Sequence, residues 1–159
     1  MSPSRVVNVV VAGLGGQGVL TCSDILAEAA FRTGVDVKKA ELHGMSQRGG
    51  SVACDVRFGP KVYSPMTPRG QADYVLVLAE DQVDVARGAL AEGGTLLTPA
   101  DVNTDALDSK RTLNVALLGR LSRELDLPEA HWQEAIRAVL PPGLHEANLR
   151  AFQAGRGGV

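Results

Sequence analysis

The stretch Val9-Val10-Val11-Ala12-Gly13-Leu14-Gly15-Gly16-Gln17-Gly18-Val19-Leu20 constrains this chain more than any other. A β-branched run breaks into four glycines within six residues and resumes at once in helix-forming residues. That is the strand, tight turn and helix that open a doubly wound α/β domain, with Gly13, Gly15 and Gly18 in the G-x-G-x-x-G register. Glycine at these positions permits positive φ and lets a backbone or ligand approach closely. The helix that follows turns its free N–H groups and positive dipole end toward the loop, an arrangement suited to a phosphate or carboxylate. Any tight strand-to-helix crossover demands similar glycines, so the pattern by itself leaves nucleotide binding open.

A chain of 159 residues is one domain, long enough to bury about two-thirds of its unfolded surface. Only 4% of its residues are aromatic, so Val, Leu, Ala and Ile must build the core. No apolar run approaches the ~20 residues of a membrane span. The first residues lack the pattern of a signal peptide, and a cytoplasmic location is expected. The net charge of −2 conceals a division: residues 38–69 hold six basic side chains against two acidic, and residues 71–134 twelve acidic against five basic. The first of these segments offers a positive field to an anionic ligand or an acidic partner. There is no basic stripe with stacking aromatics, which argues against nucleic acid. Cys22 and Cys54 stand far apart and form no Cys-x-x-Cys pair, as expected for small buried hydrophobes in a reducing compartment.

Along the chain, residues 6–12 read as a strand buried on both faces, and 17–33 as a helix stopped by Gly34. Val35 to Leu42 is a second strand, whose one acid near the end, Glu41, is a poor ribose-binding residue because His43 and Gly44 follow it. Ser51 to Phe58 alternates as a strand, Gly59-Pro60 turns the chain, and Lys61 to Ser64 is expected to return as the second arm of a hairpin. A strand over Ala72–Leu78, a helix over Glu80–Ala91 and a strand over Thr95–Thr98 follow. Residues 100–111 are polar and irregular. Three helices then cover Leu113–Leu125, Glu129–Leu140 and Gly143–Ala154, with Gly155–Val159 a frayed tail. The expected fold is a three-layer α/β sandwich with a mostly parallel, Rossmann-like sheet, a β-hairpin insertion at 51–64 and C-terminal helices.

The strongest polar constellation is His43-Gly44-Met45-Ser46-Gln47-Arg48-Gly49-Gly50-Ser51. Arg48 is suited to hold a carboxylate or phosphate, with Ser46, Gln47 and the glycine amides adding hydrogen bonds. The same loop read structurally folds on its own bonds and docks against a neighbouring chain. His43 has no sequence-near partner to orient it as a base. His131 and His145 read as surface or interface residues on helices, and Trp132 as a packing residue. No nucleophile elbow, P-loop or His-Glu-x-x-His stretch is present. Also missing are a Gly-Asp-Gly pairing with downstream Asn for thiamine diphosphate and a cysteine set for an iron–sulfur cluster.

Taken together, Gly13-Leu14-Gly15-Gly16-Gln17-Gly18 and His43 to Gly50 resemble the gamma-type subunit of the 2-oxoacid:ferredoxin oxidoreductases, and most of all the small subunit of the indolepyruvate enzyme. Val56-Arg57-Phe58-Gly59, Tyr63-Ser64-Pro65, Ala72-Asp73, Asn114 to Gly119 and Asn148 to Gly155 agree, so the likeness spans nearly the whole chain. One departure is the short segment between Thr98 and Asn114, where members of the family carry extra residues. The resemblance implies oxidative decarboxylation of a 2-oxoacid with coenzyme A as co-substrate, two electrons passing to ferredoxin. It places thiamine diphosphate, magnesium and iron–sulfur clusters on a large partner subunit and none in this chain, which by itself is expected to be inactive. It assigns no catalytic residue here. The contacts with ligand or large subunit fall to Gly13, Gly15, Gly16, Gln17, Gly18, His43, Met45, Ser46, Gln47, Arg48, Gly49 and Gly50.

Two other readings stand beside it. One is a stand-alone Rossmann-type nucleotide- or cofactor-binding domain. The other is a regulatory or scaffold protein of the same fold. A homodimer of the isolated chain also stays open, and no membrane or nucleic-acid partner is expected. Arg48 gives the sharpest test, because a guanidinium with no acid near it in sequence gains little from burial in its own domain. Arg48→Ala is expected to leave the melting temperature of the isolated chain unchanged, yet to weaken reconstituted activity or complex formation by roughly ten- to a hundredfold. Unfolding of the mutant with normal turnover per folded molecule would assign the loop a structural role instead.

Overall fold

The computed structural model describes residues 4–43 and 50–157, with His43 described by its backbone only. Five strands form one sheet: β1 (Val7–Leu14), β2 (Asp36–His43), β3 (Ser51–Gly59), β4 (Ala72–Val77) and β5 (Leu90–Leu97), in the order β2-β3-β1-β4-β5. The helices are α1 (Val19–Arg32), a one-turn α2 (Val83–Ala86) flanked by 3-10 turns, α3 (Leu113–Leu121), α4 (Glu129–Val139) and α5 (His145–Gly157). No helix among the described residues is long and apolar enough to cross a membrane.

Strand β1 sits at the centre because both its edges and both its faces find partners. It pairs antiparallel with β3 and parallel with β4. Val7, Val9 and Val11 enter a large core with α1, α3, α4 and α5, whereas Val10 and Ala12 enter a smaller one with Val75, Val77 and Ala86. Period-2 alternation thus feeds two cores from one strand. In α1, Val19, Cys22, Leu26 and Ala29 are buried along one stripe together with Ile25, the 3.6-residue pattern of a helix lying on a sheet. Gly34 just beyond it takes φ +92° and closes the last turn through its N–H on the Phe31 carbonyl. Both cysteines are fully buried, and Trp132 stacks at a tilt against Phe152 with ring centroids 5.7 Å apart.

The α/β class is as expected, but the sheet is mixed rather than mostly parallel. Four strands point the same way, yet β3 runs against them and lies between β1 and β2, so only β1–β4 and β4–β5 pair in parallel. There is no hairpin over 51–64 either. Strand β3 bonds to β1 along one edge and to β2 along the other, over eight residue pairs each, which leaves no free edge for residues 61–64. The chain beyond Gly59 is instead pinned by side chains: Asp36 Oδ2 accepts from the Val62 N–H at 2.8 Å, and Arg57 donates to the Ser64 carbonyl at 2.7 Å. The helix expected over 80–91 is shorter, and Leu90 already belongs to β5. The Gly93-Gly94 pair lies inside that strand as a bulge, where the register jumps from Ala72–Leu90 to Tyr74–Thr95 and Gly93 takes φ +79°.

The C-terminal segment corrects the frayed-tail expectation. Helix α5 continues to Gly157, and its Gly155 packs against the backbone of α3 so closely that a Cβ there would overlap the Ala116 carbonyl oxygen. Gly119 of α3 reciprocates against the Phe152 carbonyl. Two helices touching backbone to backbone cannot absorb a methyl group by rotating a side chain. Gly155→Ala is therefore expected to destabilise the chain by about 3 kcal/mol or more. In a thermal scan each kcal/mol is worth about 2–4 °C for a domain of this size. A melting temperature equal to the wild type would show that the seam yields.

Candidate functional site

The glycine loop leaves the central strand at its C-terminal end, where ligands of parallel α/β sheets bind. Three of its four glycines meet a demand that other residues would meet poorly. Gly18 adopts φ +81° as the residue before α1, and a Cβ there would collide with the Asn114 amide. Gly16 takes φ +90°. Gly13 has no room for a side chain beside Gln17, Val19 and Leu78. Gln17 holds the turn shut: its Oε1 accepts from the Leu14 N–H at 2.7 Å, and its Nε2 donates to the Leu78 carbonyl after β4 at 3.3 Å. Asn114, at the start of α3, donates from Nδ2 to the Gly18 carbonyl at 3.1 Å.

The two glycine-rich segments meet. The Gly15 N–H donates to the Gly50 carbonyl at 2.9 Å, and Leu14 pairs with Ser51 where β3 begins. His43 ends β2 opposite Val52. Gly44, Met45, Ser46, Gln47, Arg48 and Gly49 lie outside the described residues, so the structure brings together Gly13, Gly15, Gly16, Gln17, Gly18 and Gly50 of the expected set.

Beside this loop opens a cleft of about 760 Å³. One bank is Gly16, Gln17, Gly18 and Thr21; the other is the segment from Ser109 to Asn114, with Leu144 and Asn148 from the C-terminal turn and helix. Sequence reading missed this far bank, and its signal was a capping pattern. Ser109 Oγ accepts from the Arg111 N–H at 3.1 Å, while Thr112 Oγ1 donates to the Ser109 carbonyl at 2.6 Å, so the turn from Lys110 to Thr112 is fixed in front of α3. Lys110 and Arg111 on that turn are exposed and form no ion pair among the described residues. Among the described residues, no His, Cys, Asp or Glu lines the cleft. With hydroxyls, amides, two cations and the first turn of α1 around it, the cleft can bind an anion.

The remaining candidate chemistry is structural. The Cys22 thiol donates to the Asn114 carbonyl at 3.7 Å, and burial pushes both cysteine thiols up, away from the reactive thiolate. His131 bonds through Nδ1 to Thr33 Oγ1 at 3.0 Å and so ties α4 to α1. His145 Nε2 meets the Leu140 carbonyl at 2.6 Å and fixes the α4–α5 corner. Both histidines are partly exposed and each holds an intramolecular hydrogen bond. Glu41 is engaged by Lys39 at 3.4 Å, and β2 is separated from β1 by β3, so this acid stands a strand away from where a ribose beside the glycine loop needs it.

The structure is a small α/β module whose glycine loop borders a cleft carrying two cations. The family model for pyruvate ferredoxin/flavodoxin oxidoreductase matches residues 8–157, and the chain belongs to this family, as a small subunit of a multi-subunit 2-oxoacid oxidoreductase. It is 54% identical over 187 residues to the indolepyruvate oxidoreductase subunit IorB of Archaeoglobus fulgidus, covering 93% of this chain and 92% of that one. It is 35% identical over 190 residues to the IorB of Thermococcus kodakarensis, covering 93% of each chain. The fold matches the gamma subunit of a keto/oxoacid ferredoxin oxidoreductase from Geobacter sulfurreducens with a TM-score of 0.78, at 24% identity and over 94% and 95% of the two chains. The 190 aligned positions exceed the 159 residues of this chain, so the Thermococcus relative carries residues that it lacks.

Gln17 tests the geometry of the loop. Gln17→Ala removes the acceptor of the Leu14 N–H and is expected to cost about 1–3 kcal/mol in a urea titration, because a part-buried amide loses this hydrogen bond. A change under about 0.5 kcal/mol would show that water replaces the side chain.

Proposed function

We propose that this chain is the small subunit of an indolepyruvate:ferredoxin oxidoreductase working in the cytoplasm, and that the glycine loop with the 43–50 segment forms its contact with the large subunit. The Gly15–Gly50 hydrogen bond supports this reading, because it sets the last residue of the second motif against the glycine loop, whose Gly16, Gln17 and Gly18 line the cleft. The names of the relatives supply the substrate, indolepyruvate.

Thiamine diphosphate supplies carbanion stabilisation in such enzymes, and iron–sulfur clusters carry the electrons. The sequence of this chain has neither the Gly-Asp-Gly pairing with a downstream Asn expected for thiamine diphosphate nor a cysteine set for a cluster. Among the described residues no three His, Cys, Asp or Glu stand together for a metal ion, and the two cysteines are buried in the core. We assign both groups to the large subunit, with magnesium, and ferredoxin reaches them through that subunit. The present chain contributes binding and shielding. Its glycine loop and cleft close the edge of the active centre against water, and the cations of the far bank receive an anionic group of the acyl acceptor, coenzyme A. Lys110 and Arg111, free of ion pairs among the described residues, suit a phosphate of that molecule.

The stand-alone nucleotide-binding reading loses its support with the placement of Glu41, since no acid ends the strand next to β1. Reconstitution decides the rest. The chain and its large subunit, expressed together and purified without oxygen, are expected to reduce ferredoxin with indolepyruvate and coenzyme A, while this chain by itself does not. The pair Lys110→Glu and Arg111→Glu is expected to raise the KM for coenzyme A by roughly ten- to a hundredfold while the subunits still copurify. Activity on pyruvate or 2-oxoglutarate but not indolepyruvate would overturn the substrate assignment. An unchanged KM would overturn the role of the cleft.

A further inference from the structure

The two faces of the sheet are covered unequally. Four helices lie on one face, and on the other α2 with its flanking turns shields only part of β1 and β3. Between this helix and the strands is a slot of about 490 Å³, within the size range of small-molecule sites. Val10, Ala12 and Ala53 form its floor, and Ala86 and Ala89 the opposite wall. Small residues on both sides leave a flat space. Met66, 51% exposed at the rim, presents the polarisable thioether that aromatic rings favour.

Two polar groups of the slot keep hydrogen-bonding capacity unused among the described residues. Asp55 is only 4% exposed; its Oδ2 accepts from the Thr67 N–H at 2.9 Å, and its other oxygen makes no hydrogen bond among the described residues. Thr67 Oγ1 is buried beside it with no hydrogen-bond partner among the described residues. Native interiors rarely leave such atoms unmet, so a donor for the carboxyl and an acceptor for the hydroxyl are what the slot calls for. Burial raises the Asp55 carboxyl above its ordinary range, and the neighbouring Arg57 works against that. An anionic guest would face Asp55, and a cationic one would face Arg69, which leaves a neutral guest.

We propose that this slot binds a neutral, flat bicyclic heteroaromatic molecule with an N–H donor and a ring-nitrogen acceptor, lying between Ala53 and Ala89 with the N–H on Asp55 and the acceptor on Thr67. The site is separate from the anion cleft and does not rest on the proposed reaction. It has an enclosed acid and hydroxyl where the cleft has exposed cations.

Benzimidazole near neutral pH is the probe, titrated into the complete chain and followed by amide chemical shifts. Saturable shifts are expected at Val10, Ala53, Thr67 and Ala86. 1-Methylbenzimidazole, which lacks the donor, is expected to bind about tenfold more weakly, and indene, which lacks both nitrogens, more weakly still. Ala53→Leu fills the floor and Ala89→Leu the opposite wall; either variant that keeps its wild-type fold is expected to lose binding by about tenfold or more. Equilibrium dialysis of labelled benzimidazole against the assembled enzyme is expected to give the same affinity as the chain alone. Absence of saturation, equal binding of the methylated probe, or full binding by a folded leucine variant would overturn the proposal. Loss of the site on assembly would overturn it too, because the slot would then be a socket for the large subunit.

Discussion

Everything in this molecule is referred to β1. A strand hydrogen-bonded along both edges and buried on both faces cannot shift by one residue without turning its apolar set into the wrong core. Its register with β3 and β4 therefore fixes where the chain must turn, and that turn is the glycine loop. Gln17 and Asn114 then lock the loop from opposite sides, one through the Leu14 N–H and the Leu78 carbonyl, the other through the Gly18 carbonyl. The glycine loop is thus held by the strand that organises the core.

The same arrangement makes the two faces of the sheet unequal. Helices α1, α3, α4 and α5 build one thick layer, tightened by the backbone contact between Gly119 and Gly155. That contact also seats α5, which supplies Asn148 to the anion cleft, so a packing detail far from the glycine loop shapes the far side of its cleft. The opposite layer is a single short helix between 3-10 turns. A subunit that spends its helices on one face leaves the other available for ligands, and that is where the slot with Asp55 lies.

Much of this was legible in the sequence because the signals are local. The Val9–Val11 run, the glycine register, the stop at Gly34 and the apolar stripe of α1 act within a few residues of one another, and each fell where the pattern put it. The buried cysteines and Trp132 followed from composition and spacing in the same way. Residues 61–64 and 93–94 did not read correctly. Residues 61–64 have strand-forming side chains but no free edge to pair with, since β3 is taken on both sides. Gly93-Gly94 has the composition of a chain break, yet it forms a bulge, because β4 continues to bond past it.

Local sequence was enough to dictate that a strand, a glycine turn and a helix begin an α/β domain, and the motifs around residues 13–18 and 43–50 carried its family. The entry of β3 between β1 and β2 emerges only in the folded chain; it makes the sheet mixed and moves Glu41 away from the glycine loop. Folding likewise sets Ser109 to Thr112 across a cleft from the loop and encloses Asp55 together with Thr67. The physical reason is range. Glycine conformations and apolar periods are fixed by neighbours along the chain, whereas strand order and the company of a buried acid depend on which distant surfaces exclude water from one another.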